Sequence, residues 1–175
     1  MAAMRVRDFL YLALEELEPA LPLDLRNFQW SVRFSFLQVH YWYPAVHYEL
    51  WPQKRTGRIE FGLHFEGERE HNLRWLQLLA ESMIEVQAAL GREVEIEEWT
   101  PVWTRLHYTL PYGDDLTEAD AAEYARRFAG FIAALQPLLT QLREDFAVPE
   151  SPLTRSPRMR APARRGLPSS RWLSA

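Results

Sequence analysis

The sequence predicts an α+β fold with a mainly antiparallel sheet, and three observations support this prediction. Strand-like alternation occurs in pairs of neighbouring segments, which is typical of hairpins. Helical periodicity occurs in separate blocks. Apolar residues make up 47% of the 175 residues, so a large core can form although the chain has no cysteine for disulfides. The predicted element order is α-β-β-β-α-β-β-α, with the helices packed on one face of the sheet.

The N-terminal segment is predicted to contain a helix followed by a long strand. Apolar residues at helical spacing predict the helix over 4–18, which Pro19 ends because proline cannot continue the hydrogen-bond ladder. The pattern then changes to a period of two. It predicts a half-buried strand over 28–36, which continues as strand or bend to Tyr43.

The segment VHYELWPQKRTGRIEFGLHFE, residues 46–66, is the most informative part of the chain. It contains two alternating strands joined by turn-forming residues at 52–57. Because successive side chains of a strand point to opposite faces, one face of this hairpin is apolar and the other is ionisable. The ionisable set comprises His47, Glu49, Glu60, His64 and Glu66.

The second half of the chain is predicted to contain two helices that flank a further strand pair. Gly91 is placed directly after the first of these helices, where glycine is the most common residue type. Thr117 is followed by acidic residues, which is typical of a capped N-terminus, and Pro137 is expected to kink or divide the helix that begins there. The predicted elements are a helix over 68–90, strands over 93–99 and 102–110, and a helix from Thr117 to about Phe146.

Charge is divided unevenly along the chain and predicts one domain with a tail. Residues 147–175 carry six arginines and a single acid, whereas residues 1–146 carry 14 basic and 23 acidic side chains. The C-terminal segment is also rich in proline and poor in apolar residues, so it cannot offset the entropy of ordering. We therefore predict a single α+β domain over 1–146 and a disordered Arg/Pro-rich tail over 147–175.

The polar face of the sheet is the predicted functional surface. Ionisable and aromatic side chains converge there, which favours a binding module for a protein partner or a small ligand more than an enzyme. We assign no catalytic residue, no metal ligand and no cofactor. The predicted binding residues are Glu49, Trp51, Glu60, His64, Glu66, Arg105 and His107.

Other interpretations of these residues stay open. The polar face could simply be solvated, with cross-strand ion pairs such as that of Arg105 with Glu97. Two histidines and several carboxylates could also serve a metal-dependent hydrolase. A restriction-type nuclease lacks support, because no lysine follows Glu60 on its strand.

The predicted tail could also bind a partner. Its arginines could contact the phosphates of a nucleic acid, and the residues concerned are Arg158, Arg160, Arg164 and Arg165. No apolar run is long enough to cross a bilayer, so we expect a bacterial cytoplasmic protein without a membrane partner. A homodimer stays open.

Scattered positions resemble those of an uncharacterised bacterial domain family. The resemblance rests on the run 47–51, the helix over 72–90, Gly91, the pair Glu98-Trp99 and Arg105, and it covers roughly residues 28–146. That domain is often found C-terminal to predicted restriction-type nuclease regions. The resemblance implies an accessory or recognition module, and it carries over no site residues.

Overall fold

A six-stranded antiparallel sheet forms the centre of the molecule, and its helices pack on one face. The computed structural model describes residues 4–113 and 115–148. The α+β fold predicted from the sequence is confirmed. The described elements are α1 (Val6–Ala20), a 3-10 turn (Leu23–Leu25), β1 (Gln29–Arg33), β2 (Phe36–His40), β3 (Val46–Gln53), β4 (Arg58–Phe65), α2 (Arg69–Glu81), α3 (Met83–Leu90), β5 (Glu95–Glu98), β6 (Thr104–Pro111) and α4 (Glu118–Asp145).

The strands lie in the order β1-β2-β3-β4-β6-β5, and each neighbouring pair is antiparallel. Strands β3 and β4 pair over eight positions, from Val46 opposite Phe65 to Gln53 opposite Arg58. The turn between them occupies residues 54–57 and ends at Gly57, whose φ of 63° is readily accessible only without a Cβ. The ionisable hairpin predicted from the sequence therefore lies at the centre of the sheet.

The apolar side chains of the sheet face the helices and form the core. Phe61 lies against Phe128 of α4, and Phe65 stacks on Trp75 of α2. The hydroxyl of Tyr48, also on this face, donates a 2.9 Å hydrogen bond to Gln136 Oε1. Full burial of each large apolar side chain contributes about 1.5–3 kcal/mol, so this face supplies most of the driving force for folding.

The predicted single strand over 28–36 is wrong, because the chain turns at Phe34 and Ser35 to make the β1–β2 hairpin. Phe34 has a φ of 48°, which is unusual for a bulky residue, and its side chain is 92% exposed. No glycine, asparagine or proline marks this turn in the sequence. Before the turn the apolar residues of the alternating pattern stand at even positions, and after it they stand at odd positions. Leu37 and Val39 therefore face the core.

Three helix boundaries differ from those predicted. Pro19 lies inside α1, within its last turn, instead of ending the helix. The helix predicted over 68–90 is two helices, α2 and α3, which meet at Ser82, a residue outside helical geometry with φ −102° and ψ 7°. Helix α4 is not divided at Pro137. Its N-terminus is capped by Thr117, as the sequence indicates, and Thr117 forms a reciprocal capping box with Asp120.

The domain extends slightly beyond the predicted limit of residue 146. Val148 is buried in the core, and its backbone N–H donates to the carbonyl of Arg143. The remainder of the predicted tail, residues 149–175, lies outside the described residues. Among the described helices, none combines the length and the apolar composition that crossing a bilayer requires.

Candidate functional site

The sheet face opposite the helices, called the polar face below, brings the predicted site residues together. Cross-strand partners share a face, so the pairs Trp51 with Glu60 and His64 with Arg105 both point towards it. His107 lies opposite Gly62, and Glu66 follows β4 with the same parity. The parity assignment made from the sequence is therefore correct. The register places Glu49 opposite Gly62, so Glu60 is its diagonal neighbour across the pair.

The centre of the polar face is buried and therefore not solvated, whereas the ion pair of Arg105 with Glu97 that was expected for a solvated face is present. Glu49 is 4% exposed, Glu60 1% and His64 fully buried, and His47 beside them is buried as well. Buried charges are costly unless each finds a partner. The contacts of this face therefore determine whether its groups are stable, and what chemistry remains available to them.

Glu60 is the hub of these contacts. Its Oε1 lies 3.0 Å from His64 Nε2, and its Oε2 accepts hydrogen bonds from Arg105 at 2.9 Å and from Gln53 Nε2 at 2.9 Å. Arg105 also donates from Nε and Nη2 to Glu97 Oε1, at 2.8 and 2.6 Å. Each carboxylate oxygen of Glu60 is thus occupied by a charged or polar donor.

Gly62 makes the contact between Glu60 and His64 possible. The two residues lie four positions apart on β4, and their side chains meet across the glycine between them. A Cβ at Gly62 would lie 2.5 Å from His64 Nε2 and 2.8 Å from Glu60 Oε1. The pairing of β4 with both neighbouring strands is continuous through Gly62, so the glycine marks this close approach of side chains and not a β-bulge.

The Glu60–His64 pair is charged in the folded protein. Burial favours the neutral imidazole, but the hydrogen bond to Glu60 and the nearby carboxylates of Glu66 and Glu49 outweigh it and raise the pKa of His64 to about 9. Burial likewise raises the pKa of the Glu60 carboxyl, but the contact with His64 and the charge of Arg105 hold this pKa below its usual range. His64 is therefore an imidazolium at neutral pH.

Two other histidines of the same face are held neutral. Burial and the nearby His47 lower the pKa of His40 to about 4. Burial and the charge of Arg105 also lower the pKa of His107. Nε2 of His107 lies 3.2 Å from Glu97 Oε1 but lacks the alignment of a hydrogen bond. His107, a predicted binding residue, thus borders the Arg105–Glu97 pair without joining its hydrogen bonds.

His47, which the sequence placed on the polar face but not among the binding residues, stacks on His64. Their ring centroids are 5.4 Å apart and the rings are inclined by 18°. His47 Nδ1 lies 2.8 Å from the carbonyl oxygen of Pro44, which can only accept, so Nδ1 carries a proton. His47, His64 and Glu66 each offer a ligand atom within 4.8 Å of the other two, and they form the one such metal-capable group of three or more within residues 4–113 and 115–148.

Trp99 covers part of the polar face from the loop between β5 and β6. His64 lies edge-on to its ring at 5.2 Å, and the guanidinium of Arg105 lies 5.0 Å above the ring centroid. Sequence reasoning missed this role, as well as those of Gln38 and Gln53. Gln38 would have shared the polar face once the β1–β2 turn was known, but no local pattern identifies Trp99.

A cleft of about 430 Å³ opens beside Trp99 and runs towards the β3–β4 turn. Trp51 and Trp99 contribute aromatic surface to it, and Arg105 lies between the cleft and the buried pairs. Lys54 and Arg55 of the turn are exposed and make no ion pair with any described residue. Trp51 and Arg105 were predicted as binding residues, whereas Trp99, Lys54 and Arg55 were not.

Comparisons with family models, curated proteins and solved structures gave no match. The resemblance to a domain that follows nuclease regions therefore stays a prediction. The arginines proposed as a phosphate-binding tail, Arg158, Arg160, Arg164 and Arg165, lie outside the described residues. The contacts of the polar face are thus the basis for a functional proposal.

Proposed function

We propose that this protein is a non-enzymatic binding module that holds a small acidic ligand with a flat apolar part in the cleft beside Trp99. One observation carries the proposal: the cleft combines two indole rings with three cationic side chains. The indoles are Trp51 and Trp99, and the cations are Lys54, Arg55 and Arg105. Concave sites with apolar walls and a few convergent polar groups are the usual form of ligand pockets.

The charge of the cleft favours an anion. Lys54 and Arg55 have no carboxylate partner among the described residues, so a ligand carboxylate or phosphate would meet positive charge that the domain does not neutralise. Arg105 is already paired with Glu60 and Glu97, so its role is to fix the floor of the cleft. The overall chain is acidic, with a formal net charge of −4, which makes a local cationic cluster more distinctive.

The aromatic walls favour a flat ligand. Indole faces stack on planar rings, and aromatic pairs contribute about 0.5–1.5 kcal/mol beyond the burial of their area. Trp99 is held in place by His64 and Arg105, so its ring is oriented before a ligand arrives. Preorganisation of this kind reduces the entropy lost on binding.

The ionisable groups below the cleft support binding more than catalysis. A general base needs a free lone pair within reach of its substrate, but both carboxylate oxygens of Glu60 accept from protein donors. His64 is protonated and lies beneath Trp99. These groups therefore stabilise the floor of the cleft.

Calorimetric titration with three anionic ring compounds tests the proposal: adenosine monophosphate, phenyl phosphate and indole-3-acetate. Adenosine and inorganic phosphate separate the contributions of ring and charge. We expect saturable binding of at least one anionic ring compound, and weaker binding of its neutral or ringless counterpart. Absence of saturable binding for all three would contradict the proposal.

Charge-reversal variants locate the site. Lys54→Glu together with Arg55→Glu is expected to weaken binding by about tenfold or more, because two favourable charges become unfavourable. Arg92→Glu is the matched control, since Arg92 is exposed in the turn after α3 and does not line the cleft. Suppose that none of the small compounds binds but a protein from native extract does. If the Lys54→Glu, Arg55→Glu variant still captures that protein, the partner binds to another surface.

A further inference from the structure

The contacts of His47, His64 and Glu66 resemble those of metal ligands. In metal sites, a coordinating imidazole usually donates its other ring N–H to a carboxylate or a backbone carbonyl, which fixes its orientation. His64 Nε2 faces the Glu60 carboxylate at 3.0 Å, and His47 Nδ1 faces the Pro44 carbonyl at 2.8 Å. One outward nitrogen therefore remains on each ring, Nδ1 of His64 and Nε2 of His47.

The remaining nitrogen of His64 is buried without a hydrogen-bond partner. The side chain of His64 is fully buried, and its Nδ1 lies 3.6 Å from Glu66 Oε1, beyond hydrogen-bond distance. Buried polar atoms without partners are rare in folded proteins and often mark a place for an ion or a water. This atom is aimed towards the carboxylate that completes the group of three.

The buried carboxylate of Glu49 near His47 makes no direct contact with a lysine or arginine. Glu49 is 4% exposed, and its Oε2 lies 3.2 Å from the neutral amide Nε2 of Gln38 and 3.5 Å from His47 Nε2. The guanidinium of Arg105 is already used by Glu60 and Glu97. A divalent ion that replaces the proton of His64 Nδ1 would add one net positive charge beside this buried carboxylate.

The geometry requires a small rearrangement to coordinate an ion. Zinc binds imidazole nitrogen at about 2.0–2.1 Å and carboxylate oxygen at about 2.0–2.2 Å, with lone pairs that converge on the ion. The His47 and His64 rings are nearly parallel, so one ring must rotate, and His47 Nε2 must exchange the Gln38 amide for the ion. Glu66, whose side chain is 23% exposed, lies on the solvent side of the group and offers a route for the ion.

We propose that His47, His64 and Glu66 form a site for one divalent transition-metal ion of the zinc class, with Glu60 and Pro44 orienting the imidazoles. Two imidazoles and one carboxylate suit zinc, nickel or iron better than magnesium or calcium, which prefer oxygen ligands alone. The ion takes the place of the proton on His64 Nδ1. This site lies beneath Trp99, and it does not depend on a ligand in the cleft.

The test uses the tag-free full chain, because an affinity tag of histidines would bind the same metals. Titration of the apo protein with Zn²⁺, followed by calorimetry and thermal unfolding, is expected to show one equivalent bound and a raised melting temperature. Glu66→Gln removes one ligand without touching the imidazoles and is expected to weaken binding by about tenfold or more. Glu70→Gln is the matched control, since Glu70 is exposed on α2 outside the group.

A second readout identifies the ligands directly. Zinc is expected to shift the imidazole resonances of His47 and His64 in nuclear magnetic resonance spectra, and those of His107 much less. His64→Gln is expected to abolish zinc binding. Because this substitution removes a buried ion pair, the variant can fail to fold, and in that case the zinc affinity of Glu66→Gln is the deciding measurement. Absence of one-equivalent binding to the wild-type chain would overturn the proposal, as would equal affinity in Glu66→Gln or shifts confined to other histidines.

Discussion

The apolar face of the central sheet and the centre of its polar face are both buried, but they are buried in different ways. The helix-facing side is covered by α1, α2 and α4 through apolar contacts, whereas the polar face is covered by Trp99 and by its own ion pairs. Apolar contacts are not directional, so one side chain can change while its neighbours adjust. On the polar face every donor needs a particular acceptor. The stability of the polar face therefore depends more on whether every polar group has a partner than on how much apolar area is buried.

This difference predicts that the largest single effect comes from removing the hub of the polar network. Glu60→Ala leaves Arg105 and His64 with positive charges and no carboxylate between them, and we expect it to lower the free energy of unfolding by about 3–5 kcal/mol. Guanidinium unfolding monitored by circular dichroism measures this change. Glu93→Ala, at an exposed acid, is the control and is expected to stay within about 0.5 kcal/mol.

A triple variant tests whether charge balance limits the stability of the polar network. Replacing all three members of the cluster, as in Glu60→Leu, His64→Leu and Arg105→Met together, should recover part of the stability that Glu60→Ala loses, because the buried charges of Arg105 and His64 are then removed together with that of Glu60. The recovery is incomplete, since Glu97 loses its contact with Arg105 and Glu49 loses the nearby charge of His64. A triple variant as unstable as the sum of its single substitutions would show that packing, and not charge balance, limits this face.

A smaller effect is expected at the glycine that lets the network form. Gly62→Ala places a Cβ against the Glu60–His64 hydrogen bond, and we expect a loss of about 1–3 kcal/mol in the free energy of unfolding. Gly130→Ala on α4 is the matched control, because its Cβ would meet nothing within 4 Å. There the alanine should stabilise the protein by about 0.5–1 kcal/mol. An unchanged free energy of unfolding in Gly62→Ala would mean that the imidazole of His64 moves aside at little cost.

The smallest expected effect is the dependence of stability on pH through His40. Because the pKa of His40 is about 4 in the folded protein and near 6.5 in the unfolded chain, the unfolded state binds more protons between these values. The stability contributed by neutral His40 is complete above pH 6.5 and decreases as the pH falls towards 4. His40→Gln should therefore lose less stability than the wild type between pH 7.5 and pH 5.

Chemical denaturation of both proteins at the two pH values checks this expectation, since the titrating groups that do not interact with His40 contribute equally to each. His64 behaves in the opposite way, because its pKa is raised and its imidazolium is retained over the whole interval. Equal losses in the two proteins would indicate that His40 becomes protonated in the folded state without cost.

Local pattern determined most of the strand and helix positions. Alternation over 46–53 and 58–65 fixed which side chains share a face, since the strand period of two is a property of the backbone itself. The pair Thr117 and Asp120 fixed the start of α4 through the capping box. The β1–β2 turn escaped prediction because Phe34 adopts a positive φ that its residue type disfavours.

The sequence by itself therefore determined that Glu49, Glu60 and His64 lie on one face of the hairpin, opposite its apolar face. That Arg105 joins them depends on the pairing of β4 with β6. Only the tertiary structure decided that this face is buried and that His64 is charged while His40 is neutral. The reason is that alternation is encoded by neighbours in the chain. Burial and protonation depend on groups that approach from far away, such as Trp99 and Arg105 against His64 and Glu60.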